Sequence, residues 1–169
     1  IIHEQNAVPG LANRHLAKRA DHTLLTFAEA KEYLTAKSLH ITGLPVRKEI
    51  GQVDKDNARK KLQINEELFT LIVFGGSRGA ASINRAMLEM IPFIDGEPMQ
   101  AIWITGEMNY QEIMSQIRDS RGNSPANLYI HPYIYEMGVA LAAADLAICR
   151  AGASTVAELA LLGLPAIFI

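Results

Sequence analysis

The stretch that decides the fold is residues 71–80, LIVFGGSRGA, where four apolar residues lead into two glycines and a third glycine follows three positions later. A short apolar run of this kind predicts a strand buried on both faces of a parallel sheet. Glycine lets the backbone turn sharply and approach an anion, and a helix predicted after the turn offers free N–H groups at its start. The stretch therefore predicts either a phosphate-binding turn, with the Ser77 hydroxyl as a further donor, or a tight turn without a ligand.

A second turn of the same type follows in residues 146–155, LAICRAGAST, with a helix predicted to begin near Val156. Because parallel strands end at the same edge of a sheet, two such helix starts are expected to hold one ligand, and a diphosphate is the natural candidate. Neither turn has the Gly-x-x-x-x-Gly-Lys-Ser/Thr or Gly-x-Gly-x-x-Gly spacing. The sequence therefore disfavours an ATP P-loop and a standard NAD site.

Strand-like and helix-like segments alternate along the whole chain, which predicts an α/β fold: a Rossmann-like parallel sheet with helices on both faces. Apolar residues at helical spacing predict helices around 83–91 and 110–117 that cover the sheet. Ser/Thr-x-x-Glu patterns at 26–29 and 155–158 predict two further helix starts with capping boxes. The predicted strands lie near 1–3, 23–26, 39–42, 69–74, 100–105, 127–131, 145–149 and 166–169.

A change of composition between Gly43 and Asn65 predicts a domain boundary. Gly43 and Pro45 lie in a Gly-Leu-Pro turn, and the charged residues that follow lack the apolar content of a core strand. We therefore predict one domain over 1–45 and a second over 46–169. The chain begins at Ile1 and ends in the strand-like run 166–169, so we expect it to be a fragment whose second domain is truncated.

Composition narrows the class of protein. The 169 residues are 49% apolar and 20% charged, as in a globular protein with a sizeable core. The formal net charge of -2 gives no basic field, so nucleic acid is not an expected partner. The single cysteine, Cys149, lies in an apolar run and is predicted to be buried in a reducing compartment such as the cytoplasm. No stretch reaches the ~20 apolar residues of a membrane-spanning helix.

Several polar side chains are candidates for binding or catalysis. Glu158 is predicted either to close a capping box or to accept hydrogen bonds from two ribose hydroxyls. Arg47 follows the Gly-Leu-Pro turn at the predicted domain boundary, where it is either solvated or placed against a phosphate. Arg150 is expected to order the second turn. His3 has the chemistry of a general base, but a lone histidine at a strand end is more often structural.

An acidic pair, Asp54 and Asp56, resembles the Asp-x-Asp motif with which many glycosyltransferases hold a divalent ion. No strand precedes it, and the surrounding charges indicate the start of a solvated helix. We therefore predict no metal site, and no cofactor is implied.

Taken together, the motifs HEQN at 3–6, GLPVR at 43–47, FGGSRGA at 74–80, ITG at 104–106 and CRAGASTVAEL at 149–159 carry a family resemblance. The whole chain resembles, in order, the bacterial transferases that add N-acetylglucosamine to undecaprenyl-pyrophosphoryl-muramoyl pentapeptide in peptidoglycan synthesis. The resemblance implies a GT-B architecture, in which an N-terminal domain binds the lipid-linked acceptor and a C-terminal domain binds UDP-N-acetylglucosamine. It also implies peripheral attachment to the cytoplasmic side of the bacterial cell membrane.

The resemblance further implies which residues contact the donor. Ile134 would meet uracil through its backbone, Glu158 the ribose, and Ser77 with the amides of Ser154 and Thr155 the phosphates. Without the resemblance, Ile134 and Met137 are predicted to be core residues at a helix start. The implied donor contacts are Asn6, Arg47, Ser77, Ile134, Ala153, Ser154, Thr155, Val156, Ala157 and Glu158.

The implied reaction is a single displacement with inversion, in which the muramoyl C4 hydroxyl attacks the anomeric carbon and UDP departs. The catalytic residue is unknown, because the family's candidate base would lie upstream of Ile1, and a glutamine segment that grips the sugar would lie downstream of Ile169. Two alternatives stay open: another GT-B enzyme, such as a UDP-N-acetylglucosamine 2-epimerase, and a non-catalytic UDP-binding module. Residues 11–20, with Arg14, Lys18 and Arg19, are predicted to form a soluble helix with a basic face, and contact with the membrane is the weaker alternative.

Overall fold

The computed structural model describes residues 1–76 and 79–169, without the side chain of residue 121. The chain divides into two compact units, Ile1–Val46 and Arg47–Ile169. Each unit is built on its own parallel sheet, as the alternation of apolar runs and helical patterns predicts. The roles of donor and acceptor domain stay predictions at this point.

The first unit contains a three-stranded sheet in the order β1-β2-β3. Its strands are β1 (Ile2–Glu4), β2 (Thr23–Leu25) and β3 (Leu39–Ile41), joined by helix α1 (Leu11–Ala17) and a 3-10 helix (Ala28–Tyr33). The capping box predicted at 26–29 is wrong. The 3-10 helix is preceded by Phe27 without a side-chain cap, and the Thr26 hydroxyl lies 3.3 Å from Nε2 of His3 instead.

The second unit contains a five-stranded parallel sheet in the order β6-β5-β4-β7-β8. Within the described residues, all eight strands lie within one residue of the predicted bounds. The strands of this unit are β4 (Phe69–Phe74), β5 (Met99–Ile104), β6 (Leu128–His131), β7 (Leu146–Cys149) and β8 (Ala166–Phe168). The helices are α2 (Lys55–Leu62), α3 (Ala81–Ile94), α4 (Glu107–Arg121), α5 (Met137–Ala143) and α6 (Ala153–Leu162).

Helices cover both faces of this sheet because alternate strand residues point to opposite sides. On one side, Leu71, Val73 and Trp103 are buried against the apolar stripes of α3 and α4. On the other, Ile72 and Phe74 are buried in the cluster to which α2, α5 and α6 contribute. The predicted arrangement of helices on both faces is confirmed.

The predicted start of α6 is wrong. The helix begins at Ala153, with Gly152 as its N-cap, rather than near Val156. The reason is that Gly152 is extended and its carbonyl accepts the 2.9 Å hydrogen bond from the Val156 N–H that opens the helix. Thr155 therefore lies inside the first turn, and no side chain caps this helix.

The charged stretch after the hinge forms α2, as predicted. The Asp54 carboxylate caps it by accepting a 3.0 Å hydrogen bond from the Asn57 N–H. Within the described ranges, no group of three or more His, Cys, Asp or Glu side chains is arranged to hold a metal ion. No helix in those ranges is long and apolar enough to cross a membrane.

Candidate functional site

The carboxyl edge of the five-stranded sheet has a topological switch point between β4 and β7. The chain passes from β4 to β5 and β6 on one side, and then crosses back to β7 and β8 on the other. Phe74 and Cys149, the last residues of β4 and β7, are register partners. Both glycine turns therefore leave the sheet side by side, at the position where open parallel sheets bind ligands.

The first turn is compact and packs against the end of β5. Gly76 and Gly79 have φ angles of 89° and 75°, which residues with a side chain rarely adopt. The Gly79 N–H donates to the Gly76 carbonyl at 2.9 Å. A Cβ on Gly79 would overlap the Thr105 carbonyl, and one on Gly75 would overlap the Ala80 backbone. Ser77 and Arg78 lie outside the described residues, so the predicted Ser77 contact stays a prediction.

A buried hydrogen-bond network fixes the start of α3 against the end of β5. The Asn84 side chain donates to the Thr105 carbonyl at 2.9 Å and accepts from the Trp103 indole N–H at 3.1 Å. Sequence reasoning missed this network. Its signal was a polar residue on the apolar stripe of α3, next to Ile83, because a buried amide must find partners. The network holds the first turn in place through Thr105.

The second turn presents free N–H groups at the start of α6. Gly152 donates to the Arg150 carbonyl at 2.9 Å, and the first helical hydrogen bond comes from Val156. Within the described part of the chain, the N–H groups of Ala153, Ser154 and Thr155 have no acceptor. Such groups, with the positive end of the helix dipole, favour an anion.

Two of the predicted donor contacts, Arg47 and Glu158, form an ion pair. Nε of Arg47 donates to Oε1 of Glu158 at 2.9 Å, and Nη2 donates to Oε2 at 3.1 Å. Glu158 is buried, whereas 42% of the Arg47 side chain is exposed. The hydrogen bond to Glu158 outweighs burial and raises the pKa of Arg47. Because no side chain caps α6, the capping role predicted for Glu158 is wrong.

The segment after β6 carries Ile134 and Met137, which the residues alone predict to be core residues at a helix start. Both are partly buried and pack against the core cluster that includes α5, so they border the core rather than lie within it, and only Met137 is part of the helix. Tyr133 and Tyr135 are exposed and meet edge to face, with ring centroids 5.0 Å apart. The contact between the Ile134 backbone and uracil stays a prediction.

In the first unit, a buried carboxylate organises the loop that carries Asn6. Glu4 is 1% exposed and accepts from the Asn6 N–H, the Asn6 side chain, the Gly10 N–H and the Asn13 side chain, at 2.8 to 3.2 Å. Burial raises the pKa of Glu4, but these hydrogen bonds outweigh it and the pKa is lowered. Sequence reasoning missed Glu4. Nε2 of His3 lies 3.2 Å from the Gly43 carbonyl, which gives His3 a structural role.

Comparison with known families decides the membership of this chain. Residues 70–169 match the sequence model of the glycosyltransferase family 28 C-terminal domain. The chain belongs to glycosyltransferase family 28. The matched range begins in β4 and includes both glycine turns, so the family 28 match covers the candidate site.

Curated relatives of this family 28 chain share one name. A UDP-N-acetylglucosamine--N-acetylmuramyl-(pentapeptide) pyrophosphoryl-undecaprenol N-acetylglucosamine transferase from Desulforamulus reducens is 45% identical over the whole chain, which covers 46% of that protein. The protein of the same name from Bacillus subtilis is 35% identical, with the same coverage. The chain thus spans about half the length of the curated relatives it matches. The family resemblance of the motifs is confirmed.

Solved structures support the same fold. Acinetobacter baumannii MurG superimposes with a TM-score of 0.66 and 28% identity, covering 99% of this chain and 45% of that one. The calicheamicin glycosyltransferase CalG4 superimposes with a TM-score of 0.58 at 14% identity, covering 88% of this chain and 34% of that one. The second likeness is one of fold alone. The predicted GT-B fold class is confirmed for this family 28 chain.

Proposed function

We propose that this family 28 protein transfers N-acetylglucosamine from UDP-N-acetylglucosamine to the C4 hydroxyl of undecaprenyl-pyrophosphoryl-N-acetylmuramoyl pentapeptide, with inversion, in peptidoglycan synthesis. The observation that carries the proposal is the pair of glycine turns beside the switch point of one parallel sheet, with Phe74 and Cys149 in register. The curated relatives named for this reaction supply the substrates.

In this proposal the unit Arg47–Ile169 belongs to the donor-binding domain, and the unit Ile1–Val46 to the acceptor-binding domain. The start of α6 offers N–H groups to the diphosphate, and Glu158 accepts the ribose hydroxyls. The Ile134 backbone meets uracil, and Ala153 faces the sugar. Asn6, Ser77, Val156 and Ala157 complete the proposed contacts, and Arg47 belongs to the same site through its ion pair with Glu158.

The chemistry needs stabilisation of a departing anion. A general base takes the proton of the C4 hydroxyl, the oxygen attacks the anomeric carbon of N-acetylglucosamine, and the bond from that carbon to the phosphate oxygen breaks. The electron pair leaves with UDP, and its added charge falls on the side facing the two helix starts. Preorganised donors of this type are worth a few kcal/mol each, or about 10²-fold in rate.

The proposed acceptor also sets the location. Because undecaprenyl pyrophosphate is a membrane lipid, the enzyme is proposed to bind peripherally to the cytoplasmic side of the bacterial cell membrane. The soluble donor, UDP-N-acetylglucosamine, would reach the site from the cytoplasm.

A transfer assay with the full-length protein tests the proposal. Radiolabelled UDP-N-acetylglucosamine is mixed with lipid-linked muramoyl pentapeptide, and the lipid fraction is analysed for the disaccharide. The expected result is label in the lipid that depends on both substrates, with UDP-glucose as the control donor. Formation of UDP-N-acetylmannosamine without acceptor, or of its hydrolysis products UDP and N-acetylmannosamine, would instead identify a 2-epimerase, and binding of UDP without turnover would identify a binding module.

A further inference from the structure

We propose that Arg47 acts on the donor through Glu158: it stays paired with this carboxylate and orients it to receive the ribose hydroxyls, rather than binding the diphosphate itself. This inference rests on the proposed function, because it concerns the same UDP site. It makes Arg47 a positioning residue for nucleoside recognition.

Arg47 and Glu158 form a bidentate ion pair. Nε and Nη2 of Arg47 each donate to a different oxygen of Glu158, at 2.9 and 3.1 Å. Two parallel bonds of this kind fix the plane of a carboxylate as well as its position, which a single ammonium group cannot do. The orientation of Glu158 is therefore set by a residue 111 positions earlier in the sequence.

Glu158 can accept further hydrogen bonds while it is paired with Arg47. An ionised carboxylate has about four acceptor positions on its two oxygens, and the guanidinium occupies two of them. One position on each oxygen is left, and the two neighbouring hydroxyls of a ribose need two acceptors. The pair can therefore bind ribose without opening, and breaking it would leave a buried carboxylate without its cation, which is costly.

Contacts within the protein also hold the backbone of Arg47 in place. The Ile50 N–H donates to the Arg47 carbonyl at 3.1 Å, and the Ile50 side chain is buried in the core. The turn packs closely on the start of α5, because a Cβ on Gly138 would come within 2.9 Å of the Glu49 carbonyl. A residue anchored in this way suits a fixed positioning role.

The position of Glu158 favours the same conclusion. It lies on the second turn of α6, one turn after Ser154 and Thr155, whose N–H groups are free. The Glu158 side chain is buried, whereas 42% of the surface of the Arg47 side chain paired with it is exposed. A ligand whose diphosphate sits on the helix start can place its ribose over Glu158.

The experiment compares two ligands that differ only at the ribose. Dissociation constants for UDP and 2′,3′-dideoxy-UDP are measured by calorimetry with the full-length wild type, Arg47→Ala, Glu158→Gln and the double variant. Arg85→Ala, on the exposed side of α3, is the charge-matched control. Thermal unfolding checks that each variant is folded, and Arg47→Lys replaces Arg47→Ala if the latter does not fold.

We expect Arg47→Ala to weaken UDP binding by roughly 10-fold or more. The reason is that Glu158, no longer held in orientation, would lose a charge-assisted hydrogen bond to the ribose. With 2′,3′-dideoxy-UDP the loss should be at least 3-fold smaller, and in the Glu158→Gln background Arg47→Ala should add little. An equal loss with both ligands would overturn the inference and place Arg47 on the diphosphate. Tighter binding in Arg47→Ala would overturn it in favour of a pair that must open. A wild type that does not bind UDP would instead remove the proposed function, and this inference with it.

Discussion

Phe74 and Cys149 stand opposite each other at the ends of β4 and β7, so the two glycine turns begin at the same level of one sheet edge. This register makes two separate sequence motifs into one site. A shift by one residue would carry one turn to the other face of its strand, since side chains alternate along a strand.

Gly79→Ala is expected to lower the free energy of unfolding by more than a left-handed glycine normally costs. A positive φ angle costs an alanine roughly 1–2 kcal/mol, and here the new Cβ would also overlap the Thr105 carbonyl. Gly96→Ala is the matched control, since Gly96 has a φ angle of 82° with nothing within 4 Å of a built Cβ. Urea unfolding measures both variants, and equal losses would show that the turn does not pack on β5 as described.

Glu158→Gln is expected to weaken UDP binding by roughly 10-fold or more, because a charged acceptor becomes neutral. The melting temperature should fall only modestly. The glutamine keeps the size of the side chain, the helix has no capping box to lose, and the charge left without its partner is that of Arg47, whose side chain is 42% exposed to water. Glu112→Gln, on the exposed side of α4, is the control and should change neither quantity. Unchanged UDP affinity together with a large fall in melting temperature would assign Glu158 a structural role alone.

Asp145→Asn is expected to destabilise the second unit without affecting UDP. Asp145 precedes β7, at the edge opposite the glycine turns, and accepts from the Thr70 N–H at 2.7 Å and from the buried Arg59 at 2.6 Å. Removing one partner of such a pair costs about 3 kcal/mol. Chemical unfolding and UDP calorimetry test this, with exposed Asp119→Asn as control. A loss of UDP affinity at unchanged stability would contradict the assignment of the two edges.

Acid should destabilise the protein partly through Asp145. Burial raises the pKa of Asp145, but the hydrogen bonds from Lys55 and Thr70 outweigh it, so the native pKa lies below the ordinary value of 3.8. The unfolded state then binds more protons, and the free energy of unfolding falls as pH drops below about 5 and through the native pKa. Unfolding curves across this range should show a shallower fall for Asp145→Asn than for the wild type, and parallel curves would count against the ion pair.

The Cys149 thiol should resist alkylation in the folded protein. It is fully buried, and burial raises its pKa to about 11. At pH 8 only about one thiol in 10³ would be ionised, and the thiolate is the reactive form. Iodoacetamide labelling followed by mass spectrometry should show modification only when urea unfolds the chain. Fast labelling without urea would show that the end of β7 opens.

The fold was largely predictable from the sequence, because β4 and β5 are apolar runs that a parallel sheet buries on both faces. The stripe that includes Ile83 and Met87 likewise predicted α3 and its buried face. The start of α6 was not predicted. The Thr155-x-x-Glu158 pattern suggests a capping box, but Gly152 opens the helix earlier, and only the tertiary contact with Arg47 shows where the carboxylate goes.

The site was predictable as a pair of turns but not as a network. Nothing local to Arg47 indicates a partner 111 residues away, and its solvated alternative was the better local interpretation. Glu4 and Asn84 were missed for the same reason. A buried polar side chain is recognised by its hydrogen-bond partners, and those come from separate segments that only the folded chain brings together.

Hydrogen exchange on the full-length protein, with and without UDP, tests the central claim that one nucleotide diphosphate binds across both turns. We expect slower exchange in residues 75–80 and in 150–158, and no change at 143–146 or 163–165, on the opposite edge. Protection confined to the opposite edge, or to only one of the two turns, would contradict the claim that they form a single site.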